Sequence, residues 1–257
     1  MTRVLVVGES WATQETHLKG WDQFTSAAFH TGVGPLRDAL QARDITVDHM
    51  PAHEAGESFP SDPSGLAAWD VVILSDIGAN TLLLHPDTWL RGRPHPNRLQ
   101  VLREWVLGGG GLAMAGGYLS FQGIDGRARY RGTPVEEVLP CLIDPWDDRV
   151  EVPEGFSPTA RKVAHPVLEG MPDEWPLLLG YNRVRPKDDA LTLASHGDDP
   201  ILAVRNAGQG RTLAWASDVG PHWCPDEFVA WEGYGRLWAN AVTWLAGRGD
   251  EKAGSRR

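Results

Sequence analysis

Four short stretches of this chain carry side chains able to move protons or hold a polar ligand, and each directly follows an apolar run. Glu9, Ser10 and Trp11 follow Arg3–Val7, and Asp76 follows the run beginning at Val71. Tyr118 and Ser120 follow Leu112–Ala115 and the pair Gly116-Gly117. Asp218 and His222 follow Arg211–Ser217, with Trp223 and Cys224 next in line. Carboxyls, an imidazole and a phenol are the groups of general acid–base chemistry. His222 four residues after Asp218 suits an imidazole oriented by a carboxylate, with Tyr118 as a hydrogen-bond donor to a developing oxyanion. The catalytic candidates are therefore His222, Asp218 and Tyr118. Glu9, Trp11, Asp76, Ser120 and Trp223 are candidates for substrate binding. Asp125 and Arg129 join them, because the stretch Ile124–Tyr130 after the glycine turn offers charge to a polar substrate.

Other chemistries fit less well. Cys224 lies close to His222, yet nothing else marks a thiolate pair, and Cys141 sits in an apolar run as a small hydrophobe would. His17, His30, His49 and His53 crowd the first third without the i, i+4 spacing of a helical zinc motif. A metal held by loop groups such as His30, Asp76 and His222 remains an alternative, but no metal or other cofactor is expected. The glycines at 109–117 form no phosphate loop: the first run precedes the strand, and no Lys follows.

For these groups to meet, the apolar runs must be parallel strands with their C-terminal ends along one edge. Val71–Ser75 is apolar at successive positions, as a strand covered on both faces is. Strands are expected at Arg3–Val7, Ile45–His49, 70–76 and Leu112–Ala115, and helices at 97–107 and 232–246 and from Gly34-Pro35, with Leu36, Ala39 and Leu40 on one face. Val4–Val7, Val71–Leu74 and Leu112–Ala115 should be neighbours in the sheet. Three further strands are expected at 191–195, 201–205 and 211–217, and edge strands near 149–152 and 177–185. A short helix should run from Thr133-Pro134 to Leu139. Residues 12–33, polar and aromatic with little period, read as a long loop that partly closes a cavity. Residues 1–246 form one expected domain, and 247–257 read as a disordered tail.

Composition sets the outer bounds. The net charge of −10 over 257 residues argues against a nucleic-acid partner. No apolar run is long enough to cross a bilayer, and the first residues pass straight into a strand rather than a signal peptide. Two cysteines are too few for a disulfide framework, which suits a cytoplasmic protein. A small-molecule ligand and a homo-oligomeric state are the partner expectations.

Taken together, VVGESW at 6–11, VVILSDIGANTLLL at 71–84, the long segment at 109–140, HPVLEGMP at 165–172 and WASDVGPHW at 215–223 resemble a known superfamily. It is the class I glutamine amidotransferase-like superfamily, in its ThuA-like branch. The resemblance implies an α/β fold: a flavodoxin-like three-layer α/β/α sandwich with a mainly parallel central sheet, additional C-terminal strands and a site at the strand C-termini. True amidotransferases carry Cys at the tip of the glycine elbow and a later His-x-Glu. This chain has Tyr118 where that Cys belongs, Ser120 in place of the last elbow Gly, and His222-Trp223-Cys224 in place of the later motif. Glutamine hydrolysis through a cysteinyl thioester is therefore not expected, because a phenol does not replace a thiolate. Three functions stay open: a hydrolase or isomerase acting on a carbohydrate-like molecule, a non-catalytic binding or scaffold protein, and a metal-dependent hydrolase using loop histidines.

Overall fold

The computed structural model describes residues 1–247. Of the tail read at 247–257, all but Gly247 lies outside the described residues. Strand β1 (Arg3–Gly8) leads into β2 (Ser10–Lys19) and β3 (Asp22–Thr31), followed by α1 (Gly34–Gln41), β4 (Thr46–Met50) and α2 (Ala52–Ser58). Next come β5 (Val71–Ser75), α3 (Ala79–Leu83), α4 (Pro86–Trp89), α5 (Arg98–Leu107) and β6 (Gly111–Ala115). After these run α6 (Pro134–Val138), β7 (Cys141–Leu142), β8 (Arg149–Phe156), β9 (Thr159–Ala160), β10 (Leu178–Asn182) and β11 (Arg185–Pro186). The chain closes with β12 (Leu191–His196), β13 (Asp199–Ala207), β14 (Gly210–Trp215), α7 (Asp226–Ala230) and α8 (Glu232–Leu245).

An eight-stranded sheet in the order β4-β1-β5-β6-β14-β13-β12-β9 organises the molecule. Its first five strands pair in parallel and the remaining pairings are antiparallel. The expected neighbours β1, β5 and β6 are adjacent. Because strand side chains alternate between faces, each strand feeds two cores. Val4, Val6, Val71, Ile73, Ala113 and Ala115 face one core, with Leu36 and Leu40 of α1 and Leu237 and Trp238 of α8. Leu5, Val7, Val72, Leu74, Leu112 and Met114 face the other, with Leu99 and Leu102 of α5 and Val135 of α6. This is the three-layer α/β arrangement.

Two expectations about connecting segments are corrected. Residues 12–33 are not a loop. β2 and β3 form a regular antiparallel hairpin from Ser10↔Thr31 to Lys19↔Asp22, closed by Gly20-Trp21. Every residue of β3 is exposed, so no buried face imposes the apolar alternation that reveals a strand. The Gly-X connection was the available signal, since a glycine first in a two-residue turn suits a hairpin, and Gly20 has φ +66°. The strands near 149–152 and 177–185 exist as β8 and β10. They pair with each other in a separate two-stranded sheet rather than edging the main one.

One buried charge ties the second core together. Arg98, at the start of α5, is fully buried, and its guanidinium donates to the carbonyls of Leu82, Ala55, Phe59, Gly56 and Thr81. These oxygens belong to the last turns of α2 and α3, where helix carbonyls lack intrahelical partners and the helix dipole is negative. No carboxylate is needed to satisfy it. Arg98→Met should lower stability by about 3 kcal/mol or more, because it strands several buried carbonyls at once. Urea denaturation followed by circular dichroism measures this, and a loss under about 1 kcal/mol would show that the carbonyls find other partners.

Candidate functional site

The site begins with strand register. Gly8, Ser75, Ala115 and Trp215 are partners across β1, β5, β6 and β14, so four adjacent parallel strands finish on one line. Glu9 and Asp76 each stand one residue beyond that line. Both adopt left-handed backbone, φ +46° and +44°, which is uncommon for residues with a side chain. The turn costs conformational energy of roughly 1–3 kcal/mol at such positions and is held by its surroundings. Glu9 N donates to Ser75 O at 2.7 Å, Gly32 N donates to Glu9 O at 2.9 Å, and Asp76 N donates to Ser120 Oγ at 3.2 Å.

After β6 the chain turns sharply at Gly117, φ +137°, one residue before Tyr118. A Cβ at Gly117 would stand 2.9 Å from Asp76 Oδ1 and 3.0 Å from Asp218 Oδ1. The strained position of the elbow thus carries no side chain, and two carboxylates approach its bare Cα. The turn is clamped from outside the main sheet. Asn182 Oδ1 accepts from Gly117 N at 3.0 Å, and its Nδ2 donates to Gly117 O and to Asp148 Oδ1.

A cavity of about 410 Å³ opens along this edge, lined by Glu9, Trp11, Gly32, Asp76, Tyr118, Asp218, Gly220, Pro221 and His222. His222 Nδ1 lies 2.8 Å from Asp218 Oδ2, which also accepts from Trp223 N at 2.9 Å. That pairing holds the His222 pKa above its ordinary value, with Asp218 the largest cause and burial opposing it. Burial pushes Glu9 up to about 8, against the hydroxyl of Ser75, which donates to Oε2 at 2.5 Å; the Asp76 and Asp218 carboxylates push the same way. Asp76 is raised too, chiefly by burial, although Leu119 N donates to its Oδ1 at 2.7 Å. At neutral pH, Glu9 is largely a protonated acid beside the hydrogen-bonded His222–Asp218 pair. The Tyr118 ring meets the His222 ring edge-on, with centroids 4.6 Å apart at 88°.

Not every candidate from the sequence lies here. Ser120 is buried under Asp76. Trp223 is buried, and its indole donates to Glu151 rather than facing the cavity. Asp125 is exposed and pairs with Arg127, while Arg129 borders a separate depression with Asn80 and Arg131. Their strand-free segment continues past the elbow and carries them away from it. His30 stacks on Trp11 and is not among the cavity-lining residues, so it does not join Asp76 and His222. Burial pushes the Cys224 thiol up, which removes it as a nucleophile. Sequence reasoning missed Glu151, which accepts from Tyr118 Oη at 3.2 Å and so already engages that hydroxyl. The sequence marks the Gly116-Gly117 turn, but not the two side chains that clamp it, Asn182 and Asp148. Nothing local marks the last two, since their partners are 25 to 65 residues away.

Among the described residues, one group, His85, Asp87 and His95, brings candidate metal-ligand atoms within 4.8 Å of one another. The two imidazoles stack face to face at 3.7 Å and 6°, so their in-plane lone pairs run side by side instead of converging on an ion. His85 Nδ1 is moreover occupied by Asp87 N.

The family model described as "Putative glutamine amidotransferase" matches residues 3–247, and the chain belongs to this glutamine amidotransferase-like family. Two solved structures from Salmonella typhimurium are similar over nearly their whole length. Cytoplasmic Protein STM3548 is 41% identical with a TM-score of 0.90, covering 94% of this chain and 98% of that one. Cytoplasmic Protein STM1381, from strain LT2, is 39% identical with a TM-score of 0.90, covering 95% and 99%. A ThuA-like protein from Parabacteroides merdae shares the fold at 14% identity and a TM-score of 0.56, covering 95% and 89%. No curated protein matches the chain.

The raised Glu9 pKa has a consequence for stability. Folded Glu9 keeps its proton up to about pH 8 while the unfolded residue loses it near 4.5, so folded protein binds the extra proton between these values. Stability therefore falls as pH rises through that window. Glu9→Gln should flatten the decline, making the variant the more stable protein at pH 8 and nearly matched at pH 4.5. Denaturation midpoints across the range test this; an unchanged slope in the variant would place the proton elsewhere.

Proposed function

We propose that this protein is an acid–base enzyme acting on a small polar, carbohydrate-like molecule, and that it has no glutaminase activity. The observation that supports this most is the convergence of Glu9, Asp76, Tyr118, Asp218 and His222 on one cavity from four adjacent strand ends. A cavity of about 410 Å³ is of a size suited to a small ligand. In this reading His222 is the general acid–base, with Asp218 at Nδ1 fixing its orientation and Nε2 without a hydrogen-bond partner among the described residues. Glu9, protonated at neutral pH, is a second proton donor, and Asp76 accepts hydrogen bonds from substrate hydroxyls. Tyr118 braces the imidazole with its ring edge, and Trp11, half exposed, covers the mouth. Two groups with different proton affinities suit a hydrolase or an isomerase, both of which give and take protons at separate atoms. Neither needs a thiol. The alternative, a binding protein that kept the fold without turnover, shares the cavity and differs in the outcome below.

We take residues 1–246 as one unit, because both cores share the sheet, and place the protein in the cytoplasm, as its Salmonella relatives are described. Its second partner is another copy of itself. The hairpin β2–β3 puts Glu15, His17, Lys19, Asp22 and His30 on one face and only uncharged residues, from Ala12 to Phe29, on the other. An isolated two-stranded ribbon with open edges is marginal in water. Antiparallel self-pairing of β3 about Ser26 would set Asp22 opposite His30, and Phe24 opposite Ala28, of a second copy. The native thiols are buried, so Ser26→Cys should give a disulfide dimer under mild oxidation and Thr16→Cys should not. A sedimenting monomer, with both variants equally slow, removes the dimer.

Turnover is tested with His222→Ala. Products from a panel of sugars and sugar derivatives are followed by mass spectrometry, with ammonia release from glutamine as a parallel assay. The expected outcome is conversion of a polyol that falls at least about 100-fold in the variant, with a melting temperature near that of the parent and no ammonia above background. Binding without conversion would favour the scaffold reading, and ammonia release would overturn the reading outright.

A further inference from the structure

The cavity's lining is one-sided in charge. Glu9, Asp76 and Asp218 contribute three carboxyl groups, and no Lys or Arg is among the lining residues. The sole basic side chain, His222, is neutralised by Asp218 at 2.8 Å. Arg149 stays behind the wall: its guanidinium lies 4.8 Å from the centre of the Tyr118 ring and is held by Asp147. Glu9 Oε2 accepts from Ser75, while Oε1 has no hydrogen-bond partner among the described residues. It lies against Gly32, where a Cβ would collide with it. Trp11, Tyr118 and His222 supply aromatic surface around these oxygens.

An occupant with an anionic group would meet the carboxyls of Asp76 and Asp218, a largely protonated Glu9 and no Lys or Arg, and an ionised group enclosed without a compensating charge is costly. An occupant with a cationic group meets carboxyl groups and aromatic surface, the two kinds of neighbour that recognise ammonium groups. We propose that the cavity selects a ligand bearing a protonated amine, an amino sugar or related aminated polyol, and rejects carboxylates. This rests on the cavity being the ligand site and narrows its substrate class.

The proton inventory agrees. A cation beside Glu9 favours its charged form, so binding near neutral pH should expel the Glu9 proton. Ser75, Asp76, Asp218 and His222 are the groups that act on Glu9, and loss of the His222 proton would favour the cation in the same direction. Affinity for an amine that keeps its own proton across the range, such as ethylamine, should therefore rise from pH 6 toward pH 8.

Isothermal titration of the full-length protein with D-glucosamine, D-glucose and D-glucuronate varies ligand charge on one ring. Glucosamine should bind at least about tenfold more tightly than glucose, and glucuronate should not bind. At about pH 6.5, the apparent heat of glucosamine binding should differ between phosphate and MOPS buffers, as proton release requires, and Glu9→Gln should remove that difference. In Asp76→Asn the preference for glucosamine over glucose should shrink toward unity. Glucose binding as tightly as glucosamine, or any binding of glucuronate, overturns the amine while leaving the carbohydrate reading in place. Ethylamine and glucosamine binding alike, with glucose silent, keeps the amine and removes the carbohydrate. Silence from all four overturns both.

Discussion

The architecture of the site depends on a clamp on one glycine. Gly117 is held at both its N–H and its carbonyl by the amide of Asn182, and that amide is fixed by Asp148. Asp148 also accepts from the backbone of Gln122 at 2.8 Å and Gly123 at 2.9 Å, so one carboxylate closes the whole turn from 117 to 123. Both side chains are buried, and a satisfied buried polar network specifies a single arrangement, because each broken bond leaves an unpaired group. The clamp arrives from the β8–β10 layer, outside the eight-stranded sheet. That layer, whose pairing is too short to be stable alone, is thereby part of the site's construction.

With the turn fixed, the carboxylates follow. Asp76 and Asp218 approach the Gly117 Cα more closely than any side chain there would allow. Nucleophile elbows use this sharp turn to display a reactive atom. Here the same turn opens room for acids, which is why family membership describes the scaffold better than the reaction. The strain at Glu9 and Asp76 and their raised pKa values share a cause. Each side chain is directed from a strand end into an enclosed space, where backbone geometry and desolvation are both unfavourable. The surrounding register and hydrogen bonds impose that compromise.

Arg98 and the hairpin show two ways of handling exposed or buried polar backbone. Arg98 collects helix-end carbonyls, of which Ala55 O alone also accepts from a backbone N–H, that of Phe59, among the described residues. The hairpin leaves its edges in water and confines its titratable groups to one face. Its root at Glu9 and Gly32 belongs to the cavity wall, so any contact that orders the arm also bears on the mouth of the site.

The sequence alone determined the layered α/β class and the parallel strands, because apolar runs at 4–7, 71–74 and 112–115 bury on both faces and declare themselves. It also determined that Glu9, Asp76, Tyr118 and His222 share an edge, since residues just past parallel strands have no other place to go. It left the hairpin hidden, as a ribbon bathed in water carries no amphipathic period. It did not distinguish Trp223, turned inward to Glu151, from Trp11 at the mouth, nor did it separate Asp125 and Arg129 from the cavity. Those outcomes depend on side-chain direction after a turn, which a single φ changes. Only the tertiary structure decided that the elbow's strained residue is Gly117, that Asn182 and Asp148 lock it, and that Glu9 holds its proton near neutrality. Each is a matter of what lies within a few ångströms across long stretches of chain, and local pattern carries no record of that.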